Sequence, residues 1–299
     1  MGNTSKKALF IGLTTIDIQY FTNQYPAPNT KLKTDAPLIA VGGPAANAAI
    51  TYSVLGGSAD FLTCIGEHQF AQVAFNDLKK YKVNVIDQKA GIESDPIVSA
   101  VITTLSNSER TIITHHPSLS ETICKPVNIN LEKYGLILID GFYPQILSDI
   151  LPEANKRNIP VVFDGGSWKD HLPTLLKHID IAICSANFHP PECDSDEEVV
   201  KFLKSFGINE VAISKGHSDI VCEPSVIKVK QVEAVDSLGA GDILHGAFCW
   251  FWQQSNNFSE SLKNASDIAS FSVQYRGTHK WIEAFSKEFE RFQNSYSNR

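Results

Sequence analysis

The feature that most restricts the fold is a rhythm of apolar runs. Short stretches of apolar, β-favouring residues stand at 8–13, 61–65, 97–104, 111–114, 136–140, 160–164, 181–185 and 211–214, and from about residue 130 they alternate with helical patterns. Strands that are apolar on every residue rather than on alternate ones are buried on both faces, and intervening helices supply the cover. The reading is a parallel sheet inside an α/β body. The clearest helix is 196–206. Ser195 and Glu198 have capping-box spacing, Val199, Val200, Leu203 and Phe206 share one face, and Gly207 suits the left-handed residue that ends a helix. The acidic run 192–198 is thereby a solvated helix start rather than a metal site. The first third differs: 20–38 is rich in Pro, Asn, Thr and Lys, and 96–115 reads as two strands joined by a polar turn at 106–109. These pieces predict a small β layer inserted into the body.

Composition narrows the function classes. At 299 residues with 43% hydrophobic content, the chain can form two domains or one large α/β domain around a sizeable core. A net charge of −7 argues against a broad grip on nucleic acid or an anionic membrane, though not against a small amide-lined phosphate pocket. No apolar run approaches the ~20 residues a membrane span needs, and residues 1–7 lack the long apolar stretch of a secretory signal. The six cysteines, at 64, 124, 184, 193, 222 and 249, include no Cys-x-x-Cys pair. The expectation is reduced thiols in the cytoplasm and no zinc centre.

The chemistry concentrates at Asp236-Ser237-Leu238-Gly239-Ala240-Gly241-Asp242, which leads into a helical pattern carried by Ile243, Leu244, Ala247, Phe248 and Phe251. Small residues at a helix N-terminus let an anion approach free backbone N–H groups, with the helix dipole adding to the attraction. A carboxylate in the same turn is odd for plain anion capture, because like charges repel. It makes sense if Asp242 takes a proton from a hydroxyl that attacks a bound phosphoryl group.

Residues 236–242 resemble the Asp-Thr-x-Gly-Ala-Gly-Asp signature of the ribokinase-like (PfkB) carbohydrate kinase family, with Ser237 in place of Thr. Gly42-Gly43-Pro44-Ala45-Ala46-Asn47 resembles the family's Gly-Gly-x-x-x-Asn element, and Asp17 stands where its substrate-binding Asp follows the first strand. The order and spacing fit from about residue 8 to 285.

The resemblance implies a three-layer α/β/α ribokinase-like fold with a mostly parallel central sheet. It further implies a single kinase domain over residues 1–299 with a β lid from segments about 14–38 and 96–115. Asp242 would be the catalytic base, and Gly239, Ala240, Gly241 and the Asp242 amide the anion hole. Asp17, Gly42, Gly43 and Asn47 would hold sugar hydroxyls, with Arg110 directed at substrate or phosphate. Asn187, Ser214, Lys215, Gly216, Ser237, Gly239, Gly241 and Gly277 would line the nucleotide site. ATP with Mg²⁺ would be the donor, and Asp236 marks the region for a K⁺ ion if one is used. The Asn-x-x-Glu element keeps Asn187 but has Pro190 in place of the Glu, with Glu192 two residues late. His245, one helical turn after Asp242, reads as a core or supporting histidine, and Asp164 sits at a strand end. A ketohexokinase- or fructokinase-like substrate is favoured. The alternatives are a nucleoside kinase of the same fold and a sugar or nucleotide sensor that has lost the chemistry. No nucleic-acid or membrane partner is expected, and the lid is the candidate surface for a homodimer.

Overall fold

The computed structural model describes residues 6–107, 109–115, 128–222 and 225–287. The larger sheet contains β1 (Lys7–Ile11), β4 (Ala59–Thr63), β5 (Asn84–Asp87), β8 (Tyr134–Ile139), β9 (Val161–Gly165), β10 (Ile181–Ser185) and β11 (Glu210–Lys215), all parallel. An antiparallel pair, β12 (Ser218–Cys222) and β13 (Ser225–Ile227), closes one edge, and the strand order is β13-β12-β11-β10-β9-β8-β1-β4-β5. Helices α1 (Pro44–Val54), α2 (Ala71–Lys80), α6 (Ala240–Ser255) and α7 (Phe258–Ser272) cover one face. The other face carries α3 (Pro144–Lys156), α4 (Pro173–Leu176) and α5 (Asp196–Ser205). The pleat explains the continuous apolar runs: in β1, Ala8 and Phe10 enter one core while Leu9 and Ile11 enter the other. The three-layer α/β/α expectation holds.

Helix α5 starts as its sequence demands. The Ser195 hydroxyl accepts from the Glu198 N–H at 3.3 Å, the Glu198 carboxylate accepts from the Ser195 N–H at 3.0 Å, and Gly207 follows the helix at φ 90°. Of the cysteines, Cys124 lies outside the described residues, and the other five are buried. Among the described residues no helix is long and apolar enough to cross a membrane.

A second sheet, ordered β3-β2-β6-β7, is built from β2 (Thr15–Thr22), β3 (Leu38–Gly42), β6 (Val98–Thr104) and β7 (Arg110–Thr114). It reaches beyond the 14–38 segment read from the sequence. Antiparallel pairing sets Gly42 opposite Thr15 and so carries β3 to residue 42. The run 38–42 is only five residues long and its antiparallel partner lies across the long polar segment before it, which hid it as a strand.

Two features position the site. The chain leaves the central strand β1 toward β4 and β5, then returns to lay β8 on the other side of β1. That switch opens a crevice at the C-terminal ends of β1 and β8. Helices α1 and α6 also approach closely: a Cβ at Gly246 would collide with the Ala48 carbonyl and the Thr51 side chain.

Candidate active site

The glycine-rich turn opens α6. Gly239 is left-handed at φ 74°, and a Cβ there would strike Thr278, so glycine answers both demands. The first bond of the helix ladder runs from the Ile243 N–H to the Gly239 carbonyl at 2.9 Å. The N–H groups of Gly241 and Asp242 therefore precede the ladder at the positive end of the helix. Nothing lies where a Cβ of Gly241 would stand.

Asp242 faces a cavity of about 260 Å³ between the two sheets. Asp17, Ser99, Val101, Arg110 and Ile112 come from the small sheet, Gly43 and Asn47 from the start of α1, and Asp140, Phe142, Asp164 and Lys169 from the ends of β8 and β9. The structure thus brings Asp17, Gly43, Asn47, Arg110, Gly239 and Asp242 to one cavity. Gly42 does not line it but makes room for it: the Asp17 carboxylate occupies the space a Gly42 Cβ would need. Gly43 has φ 104°, and a Cβ there would strike the Leu13 carbonyl. This turn starts α1 and aims Asn47, whose Nδ2 donates to Asp242 Oδ2 at 2.7 Å.

The electrostatics follow from crowding acids in a confined space. Burial pushes the Asp242 carboxyl up to about 7; the Asp164 charge adds to this, while the Asn47 hydrogen bond and His245 pull the other way. Burial also raises Asp17, against hydrogen bonds from Thr15 and Ser99. A carboxyl raised in this way accepts a proton more readily than an exposed one, which suits a base working near neutral pH.

Three contributors escaped the sequence reading. Asp140 accepts from the Leu13 N–H at 2.8 Å, the Phe142 N–H at 3.1 Å and the Ala45 N–H at 3.4 Å, and so ties the end of β1 to the start of α1. Burial lifts its pKa to about 6. Lys169, lowered by burial, donates to the Asp140 and Ser167 carbonyls and lies 4.5 Å from the Phe142 ring centroid. His279 hydrogen-bonds Asn47. Only Asp140 had a local signal, an acid at a strand end. Lys169 and His279 sit in loops whose path no pattern reveals.

Asp164, read from the sequence as a strand-end residue, turns into the cavity; its Oδ2 is buried with no hydrogen-bond partner and lies 3.4 Å from His245 Nδ1. His245 is a supporting residue, as expected. Its Nδ1 lies 2.7 Å from the Gly241 carbonyl and its Nε2 2.9 Å from the Ile183 carbonyl, fastening the first turn of α6 to β10.

The residues expected at the nucleotide are more dispersed. Asn187, Ser237 and Arg110 share an open groove beside the cavity, where Arg110 Nη1 donates to Ser237 Oγ at 2.6 Å. Glu192 is exposed at φ 63° and lines neither space. Ser214, Lys215 and Gly216 end β11 without lining cavity or groove. Lys215 pairs with Asp196 at the start of α5, and the Ser214 hydroxyl donates to the Cys184 carbonyl at 3.3 Å. Gly277, left-handed at φ 83°, donates its N–H to Asp236 Oδ2 at 2.8 Å. The same carboxylate accepts from Gln19 Nε2 at 2.7 Å and from the Leu238 N–H at 3.0 Å. Three N–H donors thus point at the buried Asp236 carboxylate, which leaves it little capacity to hold a K⁺ ion. Among the described residues no group of three or more His, Cys, Asp or Glu side chains could hold a metal ion.

Residues 5–284 match the family described as pfkB family carbohydrate kinase. Among curated proteins, the chain is 24% identical over 306 residues to Deoxyribokinase of Salmonella typhi, covering 93% of this chain and 96% of that one. It is 23% identical over 307 residues to Nucleoside kinase of Methanocaldococcus jannaschii, covering 98% and 99%. It is 26% identical over 298 residues to Ketohexokinase of Mus musculus, covering 91% and 97%. Ribokinase from Giardia lamblia superposes with a TM-score of 0.77 at 16% identity, covering 96% of this chain and 99% of that one. A ribokinase-like chain from E. coli in complex with ATP and Mg²⁺ superposes with a TM-score of 0.73 at 16% identity, covering 96% and 99%.

Proposed function

Because the chain belongs to the PfkB family of carbohydrate kinases, we propose that it transfers the γ-phosphate of ATP to a hydroxyl of a neutral monosaccharide. One observation carries this reading: a carboxylate raised to about 7 stands beside unladdered N–H groups at the start of a helix. One group suits a proton and the others suit a phosphate.

The residues take these roles. Asp17, Asn47 and the backbone at Gly43 bind acceptor hydroxyls. Asp242 receives the proton of the reacting hydroxyl. The amides of Gly241 and Asp242, with Arg110 at the cavity edge, receive the transferring phosphoryl group. The small sheet acts as a lid that excludes water. The open groove at Asn187, Ser237 and Arg110 fits the donor's phosphates. Mg²⁺ is read as part of the Mg·ATP substrate, where it would neutralise phosphate charge.

The cavity wall supports a sugar over a nucleoside. It holds the carboxylates of Asp17, Asp140, Asp164 and Asp242, which suit a polyol. Its one aromatic side chain among the described residues, Phe142, has Lys169 against one face of its ring, so the wall offers little aromatic surface to stack a base. The carboxylates also disfavour a sugar acid or sugar phosphate. The sensor alternative is weakened by Asp242, because a binder has little use for a raised carboxyl beside an anion hole. ADP release measured over a panel of aldoses, ketoses, sugar acids and nucleosides, with Mg·ATP, is the test. Turnover on a neutral sugar is expected. Turnover on nucleosides alone, or ligand-induced thermal stabilisation without turnover on any compound, would overturn the reading.

The outward face of the lid exposes Tyr20, Ile39 and Ile113, and a second copy of the chain is the occupant that lids of the resembling family suggest. Sedimentation of wild type and Ile113→Lys tests it, with a wild-type monomer counting against it. A cytoplasmic setting accords with the free thiols of Cys184, Cys193, Cys222 and Cys249.

A further inference from the structure

The proposed base is oriented at one remove. Asn47 Nδ2 donates to Asp242 Oδ2 at 2.7 Å. An asparagine amide can turn either end to a carboxylate, and only the nitrogen end donates. The choice is made on the far side of the amide, where His279 Nε2 lies 3.0 Å from Asn47 Oδ1. Because Oδ1 can only accept, Nε2 must carry the hydrogen. His279 packs against Tyr81 at 5.3 Å between ring centroids, and its surroundings keep it neutral: burial, with the nearby Lys80 charge, pushes it down to about 4. A neutral imidazole with its hydrogen on Nε2 leaves Nδ1 bare, so the ring has one donor and Asn47 receives it.

We propose that His279 is a positioning residue for the base: its Nε2–H locks the Asn47 amide so that the amide holds Asp242 Oδ2, leaving Oδ1 of Asp242 to receive the acceptor's proton. The proposal rests on Asp242 being the base. In the step, the acceptor O–H bond breaks and its hydrogen passes to Asp242 Oδ1. The freed oxygen pair bonds the γ-phosphorus, and the bond from that phosphorus to the bridging oxygen breaks, with its electron pair leaving on ADP. Without His279 the amide is free to flip, presenting Oδ1 to a carboxylate that repels it.

Asp164 on β9 and Asp17 on β2 raise the Asp242 pKa, while Asn47 on α1 and His245 on α6 lower it. His279 is faced by Tyr81 and Asn47 and shares a pocket with Lys80, Asp77, Lys280 and Glu283, of which the Lys80 charge lowers its pKa. Losing the Asn47 donor therefore raises the Asp242 pKa, and the acid limb of the kcat profile moves to higher pH.

Two variants and one spectrum test this. His279→Leu should lower kcat by roughly 10–100-fold, the range spanned by losing a hydrogen bond to a charged group, with the acid limb shifted upward and the KM for ATP unchanged. His279→Gln, which can still donate to Asn47 Oδ1, should restore most of kcat and return the limb to its wild-type position. In ¹⁵N-histidine-labelled wild type at pH 6, the signals missing from His279→Gln should be those of a neutral Nε2–H tautomer. A folded His279→Leu with wild-type kcat and limb would overturn the proposal, and so would an imidazolium or an Nδ1–H tautomer. The spectrum decides the case if His279→Leu fails to fold. If the wild type turns over no compound, the kinase reading fails while the spectrum still judges the hydrogen bond.

Discussion

The cavity proposed for the acceptor and the groove proposed for the nucleotide lie side by side and are built differently. The cavity is walled by residues already fixed by other residues: Asp17 by Thr15, Asp140 by backbone N–H groups, and Asp242 by Asn47, which His279 fixes in turn. The groove is open, and the residues expected to serve the nucleotide are exposed or tied to protein partners, as Lys215 is to Asp196 and Ser237 to Arg110. Under the proposed assignment, the sugar side is prepared before its ligand arrives, whereas the donor side has little preformed apart from the amides at the start of α6. A prepared site keeps most of its binding free energy for the ligand, and an unprepared one spends part of it on ordering.

That contrast can be broken from the cavity outward. The largest effect should come from Asp242→Asn, which removes the proton acceptor: kcat should drop by about 10²–10⁴-fold while calorimetry shows sugar binding little changed. A variant keeping wild-type turnover would show that Asp242 is not the base. Next, Asp17→Ala should cost about 10–150-fold in kcat/KM for the sugar, the span of a lost hydrogen bond to a charged group. The loss should fall mainly on KM for sugar and leave KM for ATP in place, and an equal loss on both substrates would erase the distinction between the two sides. On the groove side, Arg110→Ala should weaken ATP use by roughly 10-fold. Lys215→Ala, which breaks only a partly exposed ion pair worth about 0.2–1 kcal/mol, should change KM for ATP by no more than ~5-fold. A larger loss at Lys215 than at Arg110 would relocate the donor site. Last and smallest, exchanging K⁺ for tetramethylammonium should leave turnover unchanged, because N–H donors surround Asp236. Activation by K⁺ would mean that the Gln19 contact gives way.

Legibility in the sequence follows the same line. Strands β1, β4, β8, β9, β10 and β11 of the larger sheet showed because burial on both faces demands unbroken apolar runs, whereas β5, β12 and β13 at its edges, partly exposed, did not, and α5 showed because its cap is local. Asp242 showed because the glycines just before it sit at a tight helix start, and such glycines cluster visibly in a sequence, whereas Asp17 and Asn47 were legible only by resemblance. Strand β3 did not show, since five residues whose partner lies across a long loop carry too little pattern. Lys169 and His279 were hidden for a related reason: their roles come from where loops end up after the layers pack. The nucleotide residues were legible only by resemblance, because a flexible edge leaves few steric constraints on the side chains along it.

The contact at Gly246 bears on how this enzyme can change. Because α1 and α6 touch there with no room for a methyl group, Asn47 and Asp242 keep a fixed spacing whatever the small sheet does. Natural drift or laboratory selection toward a new acceptor would therefore find the helix pair closed to it. Accepted substitutions should collect on the opposite wall, at Ser99, Val101 and Ile112, which touch the cavity without carrying the chemistry. The lineage would inherit its reaction from one wall and renegotiate its diet on the other.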